Sequence, residues 1–269
     1  HHVRETALLA HVLRCFSAPD VSHVLGDIDP VRDLGAVETE LFLADLERIE
    51  RRLEKERARS KALRKDQRGE LDFLEALRGR IAAGERVLGA DVPEPHAALF
   101  EELALLTAKE VIYVLNADEK GALEGACAEA AGRLGRERTI VLCARLEEEL
   151  ARLEAGEREE FVRELGVTLD ARTRFIEQCH AQLGLVRYYT AANRKLQAWS
   201  VSEGTKAPQA AGKIHSDMER GFIRARVIAY DDLVRCGGEA EAQHSGLLRT
   251  EGHDYVIRDG DVVEYLFNR

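Results

Sequence analysis

The chain has 269 residues, of which 45% are hydrophobic, 33% charged and 6% aromatic, and its formal net charge is −10. That length can bury at least one substantial core, with two or three smaller units as the alternative. An acidic balance favours solubility and argues against nucleic-acid binding over the whole surface, though a local basic patch escapes that argument. No stretch approaches the ~18 consecutive apolar residues of a membrane-spanning helix, and no secretory leader opens the sequence, so neither membrane insertion nor secretion is expected. The five cysteines (Cys15, Cys127, Cys143, Cys179 and Cys236) are scattered and odd in number, and no two form a CxxC pair. This argues against a zinc ribbon or a thioredoxin motif and reads as reduced thiols in a cytoplasmic protein.

Taken in chain order, "RETALLAHVLRCF" predicts the end of a helix over Arg4 to Ala10, feeding a buried strand from His11 to Phe16. So little precedes this strand that the sequence is expected to begin inside a domain. From about Val37 the pattern becomes that of a long amphipathic helix, with Phe42, Leu46, Ile49 and Leu53 at steps of four, three and four. After a polar interval, Leu71, Leu74, Leu77 and Ile81 form a second stripe, and two such helices imply an antiparallel hairpin. Its tip is basic: from Arg51 to Lys65 eight Lys or Arg stand against Glu54 and Glu56. Such a run reads either as a solvated helix face or as a basic finger reaching phosphates.

Pro93 and Pro95 punctuate the exit from the hairpin, and a helix is expected over Ala97 to Thr107. The run Val111 to Leu115 is short, apolar and rich in β-branched residues, as in a buried parallel strand. It ends in Asn116, Ala117, Asp118 and Glu119, and a helix and a second strand, Arg138 to Ala144, follow. Strand, helix, strand implies a right-handed crossover, and ligands of such sheets bind beyond the carboxyl ends of the strands. Asn116 and the pair Cys143 and Ala144 occupy that edge. The acidic runs Glu147 to Leu150 and Glu157 to Glu160 read as solvated helix faces. His180 adjoins Cys179, but neighbouring helical residues diverge, which favours a structural role over a catalytic pair. The nine histidines show no metal-binding spacing.

From Leu183 onward the pattern suggests a small α+β module. "KLQAWSV" reads as a strand, Gly204 and Pro208 mark a turn into a short helix, and "GFIRARVIAY" is expected to alternate. Phe222, Arg224 and Arg226 would share one face, and Ile223, Ala225 and Val227 the other. "DYVIRDGDVVEYLF" is expected to form two short strands around the turn pair Asp259 and Gly260.

The stretch "TKAPQAAGKIHSDMERGFIRARVIAYDDL" (Thr205 to Leu233), with "EGHDYVIRDGDVVEYLFN" after it, closely resembles the C-terminal TGS domain of the Obg-like ATPase (YchF-type) family, a β-grasp fold. "RETALLAHVLRCF" is similar to that family's "RET…HVVRCF", "YVLNADE" to its altered base-recognition motif, and the basic hairpin to its inserted helical domain. The resemblance spans essentially the whole chain. It implies an α/β protein with a partial P-loop NTPase (G) domain and parallel sheet at residues 1–36 and 97–182. A coiled-coil-like antiparallel helical insertion at 37–96 and a TGS domain at 183–269 complete it.

The same resemblance implies a ribosome-associated NTPase that binds ATP or GTP with Mg²⁺ and hydrolyses ATP. Asn116, Ala117 and Glu119 would read the base, together with the loop at Cys143 and Ala144. Where guanine-specific proteins carry Asn-Lys-x-Asp, residue 117 here is Ala and residue 119 is Glu. Loss of the lysine removes an aliphatic wall near the base, and Glu is one methylene longer than Asp, which disturbs bidentate pairing with guanine. The family associates this change with ATP. Ribosomal RNA or tRNA contact is expected at Arg51, Arg52, Lys55, Arg57, Lys61 and Arg64 of the tip and at Arg224 and Arg226 of the TGS module, in a monomer. No GxxxxGK[ST] run occurs, and the family places its phosphate loop and Mg²⁺ ligands before the segment that opens this sequence. The 269 residues alone are therefore expected to hydrolyse little or nothing. The alternative reading is a non-catalytic RNA- or ribosome-binding adaptor.

Overall fold

The computed structural model describes every residue except 1, 19, 25, 60–64, 120–126, 155, 158–159, 161–170, 193–194 and 269. The chain divides into two compact units, His1–Cys179 and His180–Arg269.

In the first unit a single 3₁₀ turn, His2–Glu5, leads into strand β1 (Leu8–Cys15). The helix expected over Arg4 to Ala10 is therefore absent beyond that turn, and the strand starts before His11. Leu8, Leu9 and Ala10 pair in register with Glu110, Val111 and Ile112 of a parallel partner, and this ladder overrides local helical preference. Helix α1 (Pro30–Arg59) also begins earlier than Val37. The Asp29 carboxylate accepts from the amides of Val31 and Arg32, both at 3.1 Å, while Pro30 has no amide to leave unsatisfied. Helix α2 (Lys65–Ala82) returns antiparallel to it: Arg57 near the end of α1 reaches Glu75, whereas Phe42 and Leu46 border Ile81 and Ala82. The two expected stripes meet in one core, with Ile49, Leu53, Leu74, Leu77 and Ile81 at most 2% exposed. Leu99, Phe100 and Leu103 of α3 (Ala97–Leu103) close that core.

Strand β2 (Glu110–Ala117), helix α4 (Ala128–Leu134), strand β3 (Thr139–Leu142), helix α5 (Ala144–Ala151) and helix α6 (Ala171–Gln182) follow. The strands form a parallel sheet in the order β1-β2-β3. Both faces of β2 are covered, as its continuous apolar sequence requires. Val111, Tyr113, Leu115 and Ala117 pack with Leu13, with Leu34 of α1 and with Ala131 of α4. Ile112 and Val114 pack with Ile140, under Phe175 and Cys179 of α6. Cys179, partly buried, thus packs against this core. Glu148 and Glu149 on α5 pair with Arg152 and Arg145, the solvated face expected of the first acidic run; Glu157 to Glu160 lies partly outside the described residues.

A buried charge ties the hairpin to this sheet. Asp45 of α1 is fully buried and accepts from Arg4 Nη1 (2.6 Å), from the amides of Leu106 (2.9 Å) and Thr107 (2.8 Å), and from the Thr107 hydroxyl (2.9 Å). The same guanidinium donates to the carbonyls of Ala44 and Ala104, each at 3.0 Å. A carboxylate so fully bonded tolerates burial that would otherwise be prohibitive.

The second unit holds β4 (Leu185–Ala192), β5 (Lys195–Ser202), α7 (Ala207–Ile214), α8 (Ser216–Arg220), β6 (Phe222–Ala229), α9 (Tyr230–Cys236), α10 (Glu239–His244), β7 (Arg249–Glu251) and β8 (Asp261–Phe267). Sheet order is β5-β4-β8-β6-β7, with β4 and β8 parallel and the other pairs antiparallel. This is the β-grasp arrangement. Helix α7 lies against it through Ala207, Ala210 and Ala211, all fully buried among Tyr188, Val201, Val227 and Val263. Small residues allow that approach, and the Tyr188 hydroxyl donates to the Ala210 carbonyl at 2.8 Å.

Two expectations fail here, and one strand is added to those expected. Strand β4 lies between β5 and β8, with Val186 and Tyr188 of "LVRYYTAA" turned to the core and Arg187 on the opposite face beside Asp259. The face assignment in β6 breaks at its start: Phe222 is buried with Ala225 and Val227 rather than sharing the side of Arg224 and Arg226. A bulge between Phe222 and Arg224 inserts Ile223 and flips the alternation. Before Gly260, "DYVIRDG" contributes only an isolated bridge between Lys206 and Val256, and the short strand is Arg249–Glu251 instead. Gly260 itself has φ of 82°, as its turn demands.

Candidate functional site

Because all three strands of the parallel sheet point the same way, the loops leaving them gather at one edge. There the segments after β1, β2 and β3 enclose a cleft of about 440 Å³ lined by Phe16, Ser17 and Ala18, by Asn116 to Glu119, and by Cys143 and Arg145. Asn116 sits at the end of β2, and its Oδ1 accepts from the Ala144 amide at 3.0 Å. This bond links the β2 end to the first turn of α5 and orients the Asn116 side chain so that its NH₂ group remains a donor. The Ala144 amide, expected to face a base directly, is thus engaged by Asn116.

Cys143 is buried at the position that caps α5 and packs with Leu146 and Leu150. Ala117 borders the cleft, but its methyl belongs to the core with Leu13 and Leu115 and is only 2% exposed. The pleat that aims Asn116 at one face turns Ala117 to the other, so this methyl packs into the core instead of lying beside a base as the sequence reading expects. Glu119 is exposed at the cleft rim. Arg145 bonds Glu149 at 3.0 Å, and with Glu119 also nearby its guanidinium is held more firmly protonated than usual. Asn116, Ala117, Glu119 and Cys143 are therefore brought together with Asp118 and Arg145. Phe16, Ser17 and Ala18 were missed. The strand-end rule that singled out Asn116 applies equally to β1, and it would have found them had that strand been recognised as a parallel neighbour of β2.

The basic candidates are arranged differently. Arg51 pairs with Glu47; Arg52 with Glu56 (3.2 Å) and Glu102 (2.8 Å); Arg57 with Glu75 (2.8 Å); and Arg226 with Glu239 (2.9 Å) and Glu264 (2.7 Å). Lys55 and Arg224 are exposed. Lys61 and Arg64 lie outside the described residues. Much of the hairpin shaft's positive charge is thus matched by carboxylates of the same unit.

All five cysteines are free thiols. Burial, reinforced by the neighbouring Cys127, pushes the Cys15 thiol up to about 12, so it is protonated and a poor nucleophile at neutral pH. Among the described residues no group of three or more His, Cys, Asp or Glu side chains is gathered to hold a metal ion, and none of the helices searched is long and apolar enough to cross a membrane.

Residues 185–268 match the family model YchF-GTPase_C, described as a protein of unknown function (DUF933). The chain is 37% identical over 274 residues to a Bacillus subtilis protein named ribosome-binding ATPase YchF, covering 99% of this chain and 75% of the relative. It is 36% identical over 270 residues to the protein of the same name from Escherichia coli O157:H7, covering 99% of this chain and 74% of that one. The solved structure of the Schizosaccharomyces pombe YchF GTPase superimposes with a TM-score of 0.83 at 28% identity, over 98% of this chain and 73% of that chain.

Proposed function

The chain belongs to the YchF family, and from that premise we propose that it is part of a ribosome-associated, cytoplasmic nucleoside-triphosphatase that binds ATP, and GTP less well, at the cleft beyond β1, β2 and β3. The observation that carries this reading is the Asn116 to Ala144 bond, which holds two loops of the cleft together and leaves the Asn116 amide donor for a purine ring nitrogen. Asp118 and Glu119 supply acceptors for an exocyclic amine on the same rim. The names of the relatives support both the nucleotide and the ribosome as partners.

The cleft suits a base rather than a triphosphate. Phosphoryl transfer rests on a cradle of amides and a lysine around the phosphates, with Mg²⁺ neutralising charge, and these 269 residues contain no GxxxxGK[ST] run. We assign these residues base recognition and expect hydrolysis by them alone to be negligible. The matched charges of Arg51, Arg52, Arg57 and Arg226 favour this reading over that of a basic RNA adaptor, for which Lys55 and Arg224 are the exposed candidates among the described residues.

Equilibrium titration with ATP, GTP and CTP tests the proposal. Saturable binding with purines ahead of CTP, weakened about tenfold by Asn116→Ala, is the expected result. Equal binding of all three, or indifference to Asn116→Ala, would remove the base cleft.

A further inference from the structure

We propose that Arg14 is a positioning residue for the base cleft, organising the wall after β1 as Asn116 organises the wall after β3. The inference rests on the base-cleft reading and deepens it. Arg14 is the next-to-last residue of β1, and its register partner on β2 is Asn116 itself. Its guanidinium donates from Nε to the Phe16 carbonyl (3.0 Å), from Nη1 to the Val21 carbonyl (2.9 Å) and from Nη2 to the Ala18 carbonyl (3.2 Å). The Cζ atom also stands 4.9 Å from the centre of the Phe16 ring.

Phe16 and Ala18, two of these partners, line the cleft. Three main-chain carbonyls and one ring of a single loop therefore converge on one planar cation. A guanidinium suits this task because its donors are fixed in a plane and its face can lie on an aromatic ring. An ammonium is a compact point charge and cannot span carbonyls of residues 16, 18 and 21 while stacking on the ring. Adjacent strand ends thus carry two side chains with complementary duties: Asn116 fastens the loop after β3, and Arg14 fastens the loop after β1. With both walls ordered before a nucleotide arrives, less freedom is lost on binding.

The test uses this chain with Phe16 replaced by 4-fluorophenylalanine for fluorine NMR, together with 2-aminopurine riboside triphosphate as the binding probe. Arg14→Lys and Arg14→Gln are compared with Asn116→Ala. In the ligand-free chain, both Arg14 variants are expected to shift and broaden the Phe16 fluorine signal, and Asn116→Ala to leave it in place. Probe binding is expected to weaken about tenfold in the Arg14 variants, with altered emission from the bound base; Asn116→Ala should weaken binding while keeping the bound-state emission. An unchanged fluorine signal in Arg14→Lys overturns the inference, whether or not affinity falls, because Arg14 would then not be holding the wall. Unchanged probe affinity in Arg14→Lys overturns it equally, and if Asn116→Ala weakens binding in that experiment the base cleft itself stands. Failure of the unaltered chain to bind the probe removes the base cleft and the role of Arg14 with it.

Discussion

The parallel sheet of the first unit and the mixed sheet of the second both bury a dense apolar core, yet they end their strands in different ways. In the first, β1, β2 and β3 run in one direction, so their carboxyl ends and departing loops collect at a single edge and leave a cleft between them. In the second, only β4 and β8 are parallel, and chain direction otherwise alternates. Its strand ends are closed by main-chain bonds instead: Gly260 to the Arg187 carbonyl, Tyr230 to the Gly260 carbonyl and Asn268 to the Gly221 carbonyl, each at 2.8 Å. Strand direction thus separates an edge that can receive a ligand from one that satisfies itself.

The sharpest way to break the first arrangement is Asp45→Ala. It strands Arg4 beside the vacated carboxylate position and leaves the Leu106 and Thr107 amides unbonded. A loss of about 3–5 kcal/mol is expected, read by urea denaturation, with faster amide exchange in α1 and β2. A change below about 1 kcal/mol would mean that water replaces the carboxylate without strain.

The corresponding break in the mixed sheet is Gly221→Ala. A Cβ there would lie 2.0 Å from the Asn268 carbonyl oxygen, a main-chain atom that cannot swing aside. The expected cost is about 1–3 kcal/mol, seen as faster exchange at the Asn268 amide and along β6. Normal stability with Ala at 221 would show that the β6–β8 closure has slack.

A smaller, pH-dependent effect sharpens the contrast from within the parallel sheet. Burial lowers the pKa of His11 below 6.5, with Glu38 pulling weakly the other way. The neutral ring is therefore favoured in the folded state, and between the two pKa values the unfolded chain binds more protons. Stability from this group is complete above pH 6.5 and declines as pH falls toward the folded value. His11→Asn should flatten that acid-side decline in melting temperature, and an unchanged slope between pH 6.5 and 5 would assign it to other groups.

The smallest effect is expected on the hairpin surface. Arg57 and Glu75 are about half exposed, so Arg57→Ala should cost only about 0.2–1 kcal/mol, and less at high salt. A larger loss would show that this pair, rather than the apolar seam, holds the hairpin.

Local pattern carried a good part of this molecule. The two helical stripes, the buried runs of β2 and β3, the Ala-rich helix α7 and the turn at Gly260 could be read directly, because periodicity and turn chemistry act between neighbours in the chain. The early start of α1 is legible too, in the capping Asp29 and in Pro30, both of which precede the apolar stripe that opens at Phe42. Asn116 was found because one strand end suffices to mark it.

Partners distant in sequence decided the rest. Strand β1 displaced a helix because β2 offered it a ladder about a hundred residues away. Asp45 looked like one more polar position on a helix until Arg4, Leu106 and Thr107 closed around it. The arginines of the hairpin shaft looked like a basic surface until Glu75 and Glu102 were placed beside them. The sequence by itself determined which segments are apolar on one side, where the chain turns and which residue types stand at the end of β2. Only the tertiary structure decided which loops share an edge and which charges cancel, because strand pairing and ion pairing depend on distances that the chain order does not encode.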